Sequence, residues 1–166
     1  MKIIFLDFDG VICTQASYKD AEKKHGLESD GFPPPLHLIL KSRVARVQEI
    51  CDKTGAKIVI SSMWRVLYKW GVLKGFLRHH GLTAEIIDQT PSGGLSRDRG
   101  LEITQWMQLH PDISWDDIVI LDDDYYGVQY YEDAIKRLIC PVMWGETPDK
   151  EGIQPEQVQE AIEMLS

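Results

Sequence analysis

Cysteine is scarce in this chain: Cys13, Cys51 and Cys140 are three in 166 residues, odd in number and without short paired spacing. That excludes a disulfide framework and a zinc knuckle, and it points to reduced thiols packed in a core. Long apolar runs are also missing. None reaches the roughly 18 residues that a membrane span needs. Met1-Lys2 passes directly into Ile3-Ile4-Phe5-Leu6, which is too short for a signal-peptide core and has no small-residue cleavage site. The expectation is a cytoplasmic protein with its native start. Basic charge is in deficit, with 18 Lys and Arg against 26 Asp and Glu and a net charge of −8. This argues against strong non-specific binding of nucleic acid and against capture by an anionic membrane, both of which need a basic face. Internal repeats and low-complexity linkers are absent as well. What remains is 43% hydrophobic and 27% charged, the composition of one globular domain over residues 1–166. A chain of this size buries roughly 68 to 70% of its unfolded surface and folds without covalent staples.

Short apolar runs alternate with helical periodicity. Ile3–Leu6 reads as a fully buried strand that stops at Asp7 and Gly10. Val44, Val47, Ile50 and Cys51 recur at helical spacing between a candidate N-cap at Ser42 and a glycine stop at Gly55. Ile58-Val59-Ile60 is the second strand and ends in Ser61-Ser62. Residues 66–80 read as a helix closed by Gly81, and residues 85–88 as a third strand. Arg99–Leu109 is a helix ended by His110-Pro111, and Ile118–Leu121 is a fourth strand, again stopped by acids. A helix over 130–137, a fifth strand over 138–143 and a last helix starting at Pro155 complete the pattern. Strands apolar on both faces and separated by helices predict an α/β fold, a central parallel five-stranded sheet in three Rossmann-like layers. The stretch 14–40, with Pro33-Pro34-Pro35, has no assignable element and is a candidate short flap or cap insertion over a site.

In such sheets ligands bind beyond the carboxyl ends of the strands. Those ends carry Asp7 and Asp9, Ser61 and Ser62, and Asp122-Asp123-Asp124. Carboxylates converging from different strands repel one another, and a hard divalent cation with oxygen ligands relieves this, Mg2+ being the natural candidate. Taken singly, each acid is an ordinary residue to start a loop after a strand. The order Asp7-Phe8-Asp9-Gly10 sets two carboxylates around one residue at a tight turn, so that one can attack phosphorus while the other handles a proton. A calcium loop would need further oxygen ligands and a terminal Glu, which residues 7–18 do not supply.

The order Phe5-Leu6-Asp7-Phe8-Asp9-Gly10-Val11, Ile58-Val59-Ile60-Ser61-Ser62, Arg99, and Val119-Ile120-Leu121-Asp122-Asp123 resembles the four motifs of haloacid-dehalogenase (HAD) superfamily phosphohydrolases. More narrowly, Ser61-Ser62-Met63-Trp64-Arg65, Arg99-Gly100-Leu101-Glu102-Ile103 with Trp106, and Leu121-Asp122-Asp123-Asp124 are similar to the small HAD domains of multidomain RNA-repair proteins. The resemblance implies a Mg2+-dependent phosphomonoesterase. Asp7 would form an aspartyl-phosphate, Asp9 would protonate the leaving oxygen and then activate water, and Ser61 would bind a phosphoryl oxygen. Arg99 fills a position usually held by Lys, and Arg97, two residues away, is a second candidate. Mg2+ would sit on the Asp7 carboxylate, the Asp9 carbonyl and an acid of the 122–123 pair, with Asp123 as direct ligand and Asp122 as its support.

In this superfamily the cap between motifs shapes substrate choice, and here the segments between Asp7 and Ser61 and between Ser61 and Arg99 leave no room for a full cap domain. An open site suits a nucleotide, a nucleic-acid end or a protein side chain, or else a small phosphorylated molecule under the 14–40 segment. Closure would fall to that segment or to a partner chain. Gly10, Ser62, Trp64, Arg65 and Arg97 are candidate substrate contacts, and Trp64, Arg65, Tyr125 and Tyr126 stand where they would stack bases or meet a backbone phosphate, or else pack at the rim. Trp70, Trp106, Tyr130 and Tyr131 read as core or helix-face residues, and the five histidines show no ligand spacing. The alternative is a phosphoacceptor or metal-binding regulatory domain without turnover. A receiver domain carries its acid pair after the first strand and its acceptor on a middle strand, the reverse of the order here. A dehalogenase does not need the second carboxylate or the late acid cluster.

Overall fold

Ile3–Leu6 is buried along its whole length and forms β1 at the centre of a sheet. The computed structural model describes residues 1–92 and 98–166. β2 (Lys57–Ile60), β3 (Ile86–Gln89), β4 (Ile118–Leu121) and β5 (Leu138–Ile139) complete a five-stranded sheet in the order β3-β2-β1-β4-β5, with every pairing parallel. A parallel neighbour must be reached by a crossover, and the crossovers here carry helices. They are α1 (Gln15–His25), α2 (Lys41–Thr54), α3 (Trp64–Leu67), α4 (Trp70–His79), α5 (Arg99–Leu109), α6 (Tyr125–Val128) and α7 (Glu132–Ile135), with α8 (Pro155–Met164) following β5.

Strand alternation divides the core. Ile4, Leu6, Ile58, Ile60, Val119 and Leu121 face a cluster that includes Val44, Val47 and Ile50 of α2, Leu73 and Leu77 of α4, and Val158 and Ala161 of α8. Ile3, Phe5, Val59, Ile118 and Ile120 face the opposite way, onto Ile103, Trp106 and Met107 of α5. Both faces are therefore covered, as expected of strands without a polar side. Among the described residues, no helix is long and apolar enough to cross a membrane.

Several elements depart from the sequence reading. The first long helix begins at Lys41 after Leu40, and Ser42 does not cap it; its hydroxyl instead accepts from Arg43. Residues 66–80 form no single helix. Tyr68 and Lys69 are extended between α3 and α4, so that Trp64 and Phe76 come together, ring to ring, at 6.1 Å. The helix expected over 130–137 shrinks to the one-turn helix α7, because Tyr131 is extended and its hydroxyl donates to Asp98 at 2.6 Å. Tyr130 is exposed and packs no core, and Cys140 is exposed too. β5 stops at Ile139, two residues before Pro141, which has no N–H to continue a ladder. The unassigned 14–40 stretch contains α1. Thr14 and Ser17 close a capping box there, and the Ser17 hydroxyl also donates to the Leu38 carbonyl at 2.7 Å.

Candidate active site

Register builds the site. Leu6 pairs with Ile60 on one side and Leu121 on the other, so the next residues, Asp7, Ser61 and Asp122, leave the same edge of the sheet together. The ladder holds them there, with Asp7 N donating to the Leu121 carbonyl and Ser61 N to the Leu6 carbonyl, both at 3.0 Å. This edge lies at the switch point where the strand order reverses about β1. Beyond Asp7 the chain coils tightly. The amides of Val11, Ile12 and Cys13 all donate to the Phe8 carbonyl, and Gly10, at φ +78°, donates to the Cys13 carbonyl at 2.8 Å. A Cβ on Gly10 would fall 2.2 Å from Asp123 Oδ2, so the glycine is what lets the acid loop approach the first turn.

Asp7, Asp122 and Asp123 bring carboxylate oxygens to within 4.8 Å of one another. They stand at a cavity of about 170 Å³ lined by Asp7, Asp9, Met63, Arg99, Glu102, Asp123 and Asp124. Burial, with the neighbouring Asp122 charge, holds the Asp7 carboxyl well above its ordinary range despite Arg99 beside it. Burial also pushes Asp122 up to about 6, and burial together with Asp7 and Asp9 pushes Asp123 up to about 7. Acids forced up together are under-neutralised. An all-oxygen donor set with surplus negative charge fits a hard divalent cation, the Mg2+ class, and supplies no soft ligand for zinc.

One cation is already built in. Arg99, the first residue of α5, is almost fully buried; its Nε lies 2.6 Å from Asp122 Oδ2, and its two terminal nitrogens lie 3.7 Å from Asp7 Oδ1 and 3.5 Å from Glu102 Oε2. The Asp122 contact is short but poorly aligned as a hydrogen bond, so it acts chiefly as a charge pair. Burial works against the Arg99 charge, and Asp122, Asp7 and Glu102 more than offset it, leaving its pKa raised. Glu102 also meets Arg65 at 2.7 Å. Arg65 donates through Nε to the Thr90 carbonyl, through Nη1 to the Ser61 and Ser62 carbonyls, and through Nη2 to the Pro91 carbonyl. With Glu102, that places a partner at each of its five N–H groups.

The comparisons with known proteins agree with this geometry. The model of one family, described as the HAD domain in Swiss Army Knife RNA repair proteins, matches residues 3–155. The chain belongs to this family. It is a phosphohydrolase domain of the HAD superfamily, with the acid cluster of that superfamily able to hold a divalent metal. No curated protein and no solved structure matches the chain.

The HAD domain brings Asp7, Asp9, Arg99 and Asp123 to one cavity, with Asp122 buried directly behind it. The two serines divide. The Ser62 hydroxyl accepts from Trp64 N at 3.3 Å, whereas the buried Ser61 hydroxyl has no hydrogen-bond partner among the described residues. Two expected substrate contacts turn inward. Trp64 is 4% exposed and wedged among Phe8, Tyr68 and Phe76, so it has no free face for a base, and its indole N–H donates to Asp9 Oδ2 at 3.0 Å. Arg65 has no donor left for a substrate and instead ties the end of β2 to the loop after β3 and to α5. The Gly10 amide is likewise engaged within its own turn. Arg97 lies outside the described residues. Tyr125 and Tyr126 are exposed, at 48% and 79%.

Sequence reasoning missed two residues. Glu102 had a readable signal, an acid three positions after Arg99 on the inward face of a helix. Tyr18 donates from α1 to Asp9 Oδ1 at 2.8 Å, and its only signal was the Thr14 to Ser17 capping pattern that announces α1. A cavity of about 540 Å³ between α5 and α7 is a separate open groove, not lined by the acid cluster.

Proposed function

We propose that this HAD domain is a Mg2+-dependent phosphomonoesterase that works through an aspartyl-phosphate on Asp7 and acts on the terminal phosphate of a nucleotide or a nucleic-acid end. The observation that carries the reading is the meeting of Asp7, Asp122 and Asp123 within 4.8 Å, with Arg99 against two of them, at a cavity of about 170 Å³ that suits a phosphoryl group better than a whole substrate.

Each role follows from the surroundings. Asp7 is the nucleophile, because it stands at the end of the central strand with the Arg99 guanidinium 3.7 Å away. The same guanidinium offers planar N–H donors to the charge that grows on phosphoryl oxygens in the transition state. Asp9, two residues on and lining the same cavity, protonates the leaving oxygen and then takes a proton from water. Ser61 holds a buried hydroxyl with hydrogen-bonding capacity to offer a phosphoryl oxygen. Asp123 reaches the cavity and, with Asp7 and the Asp9 carbonyl, would hold the metal directly. Asp122 is enclosed, accepts from Asp124 N at 2.9 Å, and supports the set. When bound, Mg2+ lowers the repulsion between the acids and the incoming phosphate.

A terminal phosphate on a nucleotide or strand end is favoured by three observations: exposed Tyr125 and Tyr126 next to the acid loop, the RNA-repair setting in the family's description, and a net charge of −8 that gives no basic track for a long backbone. The test is turnover on nucleotides, 3′- and 5′-phosphorylated oligonucleotides, sugar phosphates and phosphopeptides, with Mg2+ or with EDTA. Release of phosphate from nucleotides or oligonucleotide ends, abolished in Asp7→Asn without loss of fold, is expected. Full activity in Asp7→Asn, or turnover indifferent to EDTA, removes the reading.

A further inference from the structure

Asp9 is gripped by both of its oxygens. Tyr18 Oη donates to Oδ1 at 2.8 Å, and Trp64 Nε1 donates to Oδ2 at 3.0 Å. The two donors come from different parts of the chain, Tyr18 from α1 and Trp64 from the start of α3. They are also chemically unlike. An indole N–H can only donate, whereas a phenol hydroxyl donates or accepts according to how it is turned.

We propose that Tyr18 and Trp64 are positioning residues for Asp9 that divide its oxygens between two tasks: Trp64 pins Oδ2 as a permanent acceptor, and Tyr18 keeps Oδ1 as the oxygen that exchanges a proton with leaving group and water. This rests on the acid and base role given to Asp9 above. A proton on Oδ2 directed at the indole N–H would set two donors against each other and leave one unsatisfied. A proton on Oδ1 meets no such conflict, because the Tyr18 hydroxyl reverses and accepts it. Trp64 is locked for its part by ring contacts to Phe8 at 5.1 Å and Tyr68 at 5.6 Å.

The proton inventory closes. An Asp7 oxygen bonds to phosphorus as the bond to the leaving oxygen breaks. That oxygen takes the electron pair and the Oδ1 proton of Asp9, and the Tyr18 hydroxyl turns from accepting to donating. Water then bonds to phosphorus and gives its proton to Oδ1, the Asp7 to phosphorus bond breaks with its pair returning to Asp7, and inorganic phosphate leaves. Tyr18 turns back to accept.

A leaving group that needs no proton makes the clamp dispensable in the first step, phosphorylation of Asp7, and kcat/KM reports that step alone, before the hydrolysis that both esters share; this separates positioning from folding. Tyr18→Phe and Trp64→Phe are compared with the unaltered domain and Asp9→Asn on a nucleoside 3′-monophosphate, whose alkoxide must be protonated, and on p-nitrophenyl phosphate, whose phenolate leaves without one. Tyr18→Phe is expected to lower kcat/KM on the alkyl ester by about tenfold or more, a share of the ~10²- to 10⁴-fold that general acid catalysis supplies, and to change kcat/KM on the aryl ester by less than about threefold. Trp64→Phe shifts in the same direction. Equal losses on both esters, or none on either, overturn the proposal. The Asp9→Asn control separates the two levels: if it shows no leaving-group bias, the role of Asp9 itself falls, and if it does while Tyr18→Phe does not, only the clamp falls. Tyr18→Phe removes one hydroxyl from a half-buried ring, so the test stands on that variant if Trp64→Phe fails to fold.

Discussion

Removing metal should make this domain less stable as the pH rises. A carboxyl group whose folded pKa lies above its unfolded value binds more protons folded than unfolded across that interval, so stability falls as pH climbs through it. Asp122 is fully buried and pushed up to about 6 by that burial. Against an unfolded value near 3.9 this is about two pKa units, or about 3 kcal/mol lost between roughly pH 4 and 7. Asp123 rises further, to about 7, through burial and the charges of Asp7 and Asp9. It is partly open to water, so its share is discounted to about 1 to 2 kcal/mol. In EDTA the domain is therefore expected to lose about 4 kcal/mol between pH 4 and pH 8, and saturating Mg2+ to restore about 2.7 kcal/mol at one hundred times its Kd. Urea unfolding followed by tryptophan fluorescence measures this, with Asp123→Asn as the control that cancels every other titrating group. In EDTA at pH 8 that variant is expected to be more stable than the unaltered domain and to gain little from Mg2+. A flat metal-free profile from pH 5 to 8, together with an Asp123→Asn variant less stable than its parent, would refute the view that these acids are held in mutual conflict.

Three further perturbations separate the parts of the site. Gly10→Ala sets a methyl group 2.2 Å from Asp123 Oδ2 at a φ of +78°, so it should displace the acid loop and weaken Mg2+ binding at least tenfold, read by titration calorimetry, while a similar substitution at Gly71, where a Cβ meets nothing within 4 Å, leaves affinity unchanged. Arg65→Met removes the guanidinium that Glu102 shares with Arg99 and that reaches four backbone carbonyls, and should cost about 3 to 5 kcal/mol in urea unfolding. Asp98→Ala removes both the cap on the Leu101 amide and the acceptor for the Tyr131 hydroxyl; it should destabilise α5 by about 1 to 2 kcal/mol and raise KM through a looser Arg99.

The sequence shows those parts of the site that follow from strand ends, and the reason is register. A parallel strand buried on both faces has only one way to carry a polar residue, which is to end. Asp7, Ser61 and Asp122 therefore marked both the limits of β1, β2 and β4 and the edge at which they meet. α5 was legible from Arg99 to Leu109 for a related reason, since Ile103, Trp106 and Met107 repeat on its buried face. Side-chain direction was not legible, because it depends on what arrives from elsewhere. Trp64 and Arg65 sit directly after a motif and have the chemistry of substrate contacts, yet α4 brings Phe76 over the indole and α5 brings Glu102 to the guanidinium, and both turn inward. Tyr18 was illegible for the complementary reason. α1 has only Ser17 and Ala21 buried, too few to give an apolar stripe, so the helix that delivers a hydroxyl to Asp9 left no periodic trace. The residues that do chemistry can thus be read from where strands stop, while those that aim them depend on contacts between distant segments. If the aim of Asp9 is set by Tyr18 and Trp64, catalytic power in this domain should respond to changes on α1, far from any motif.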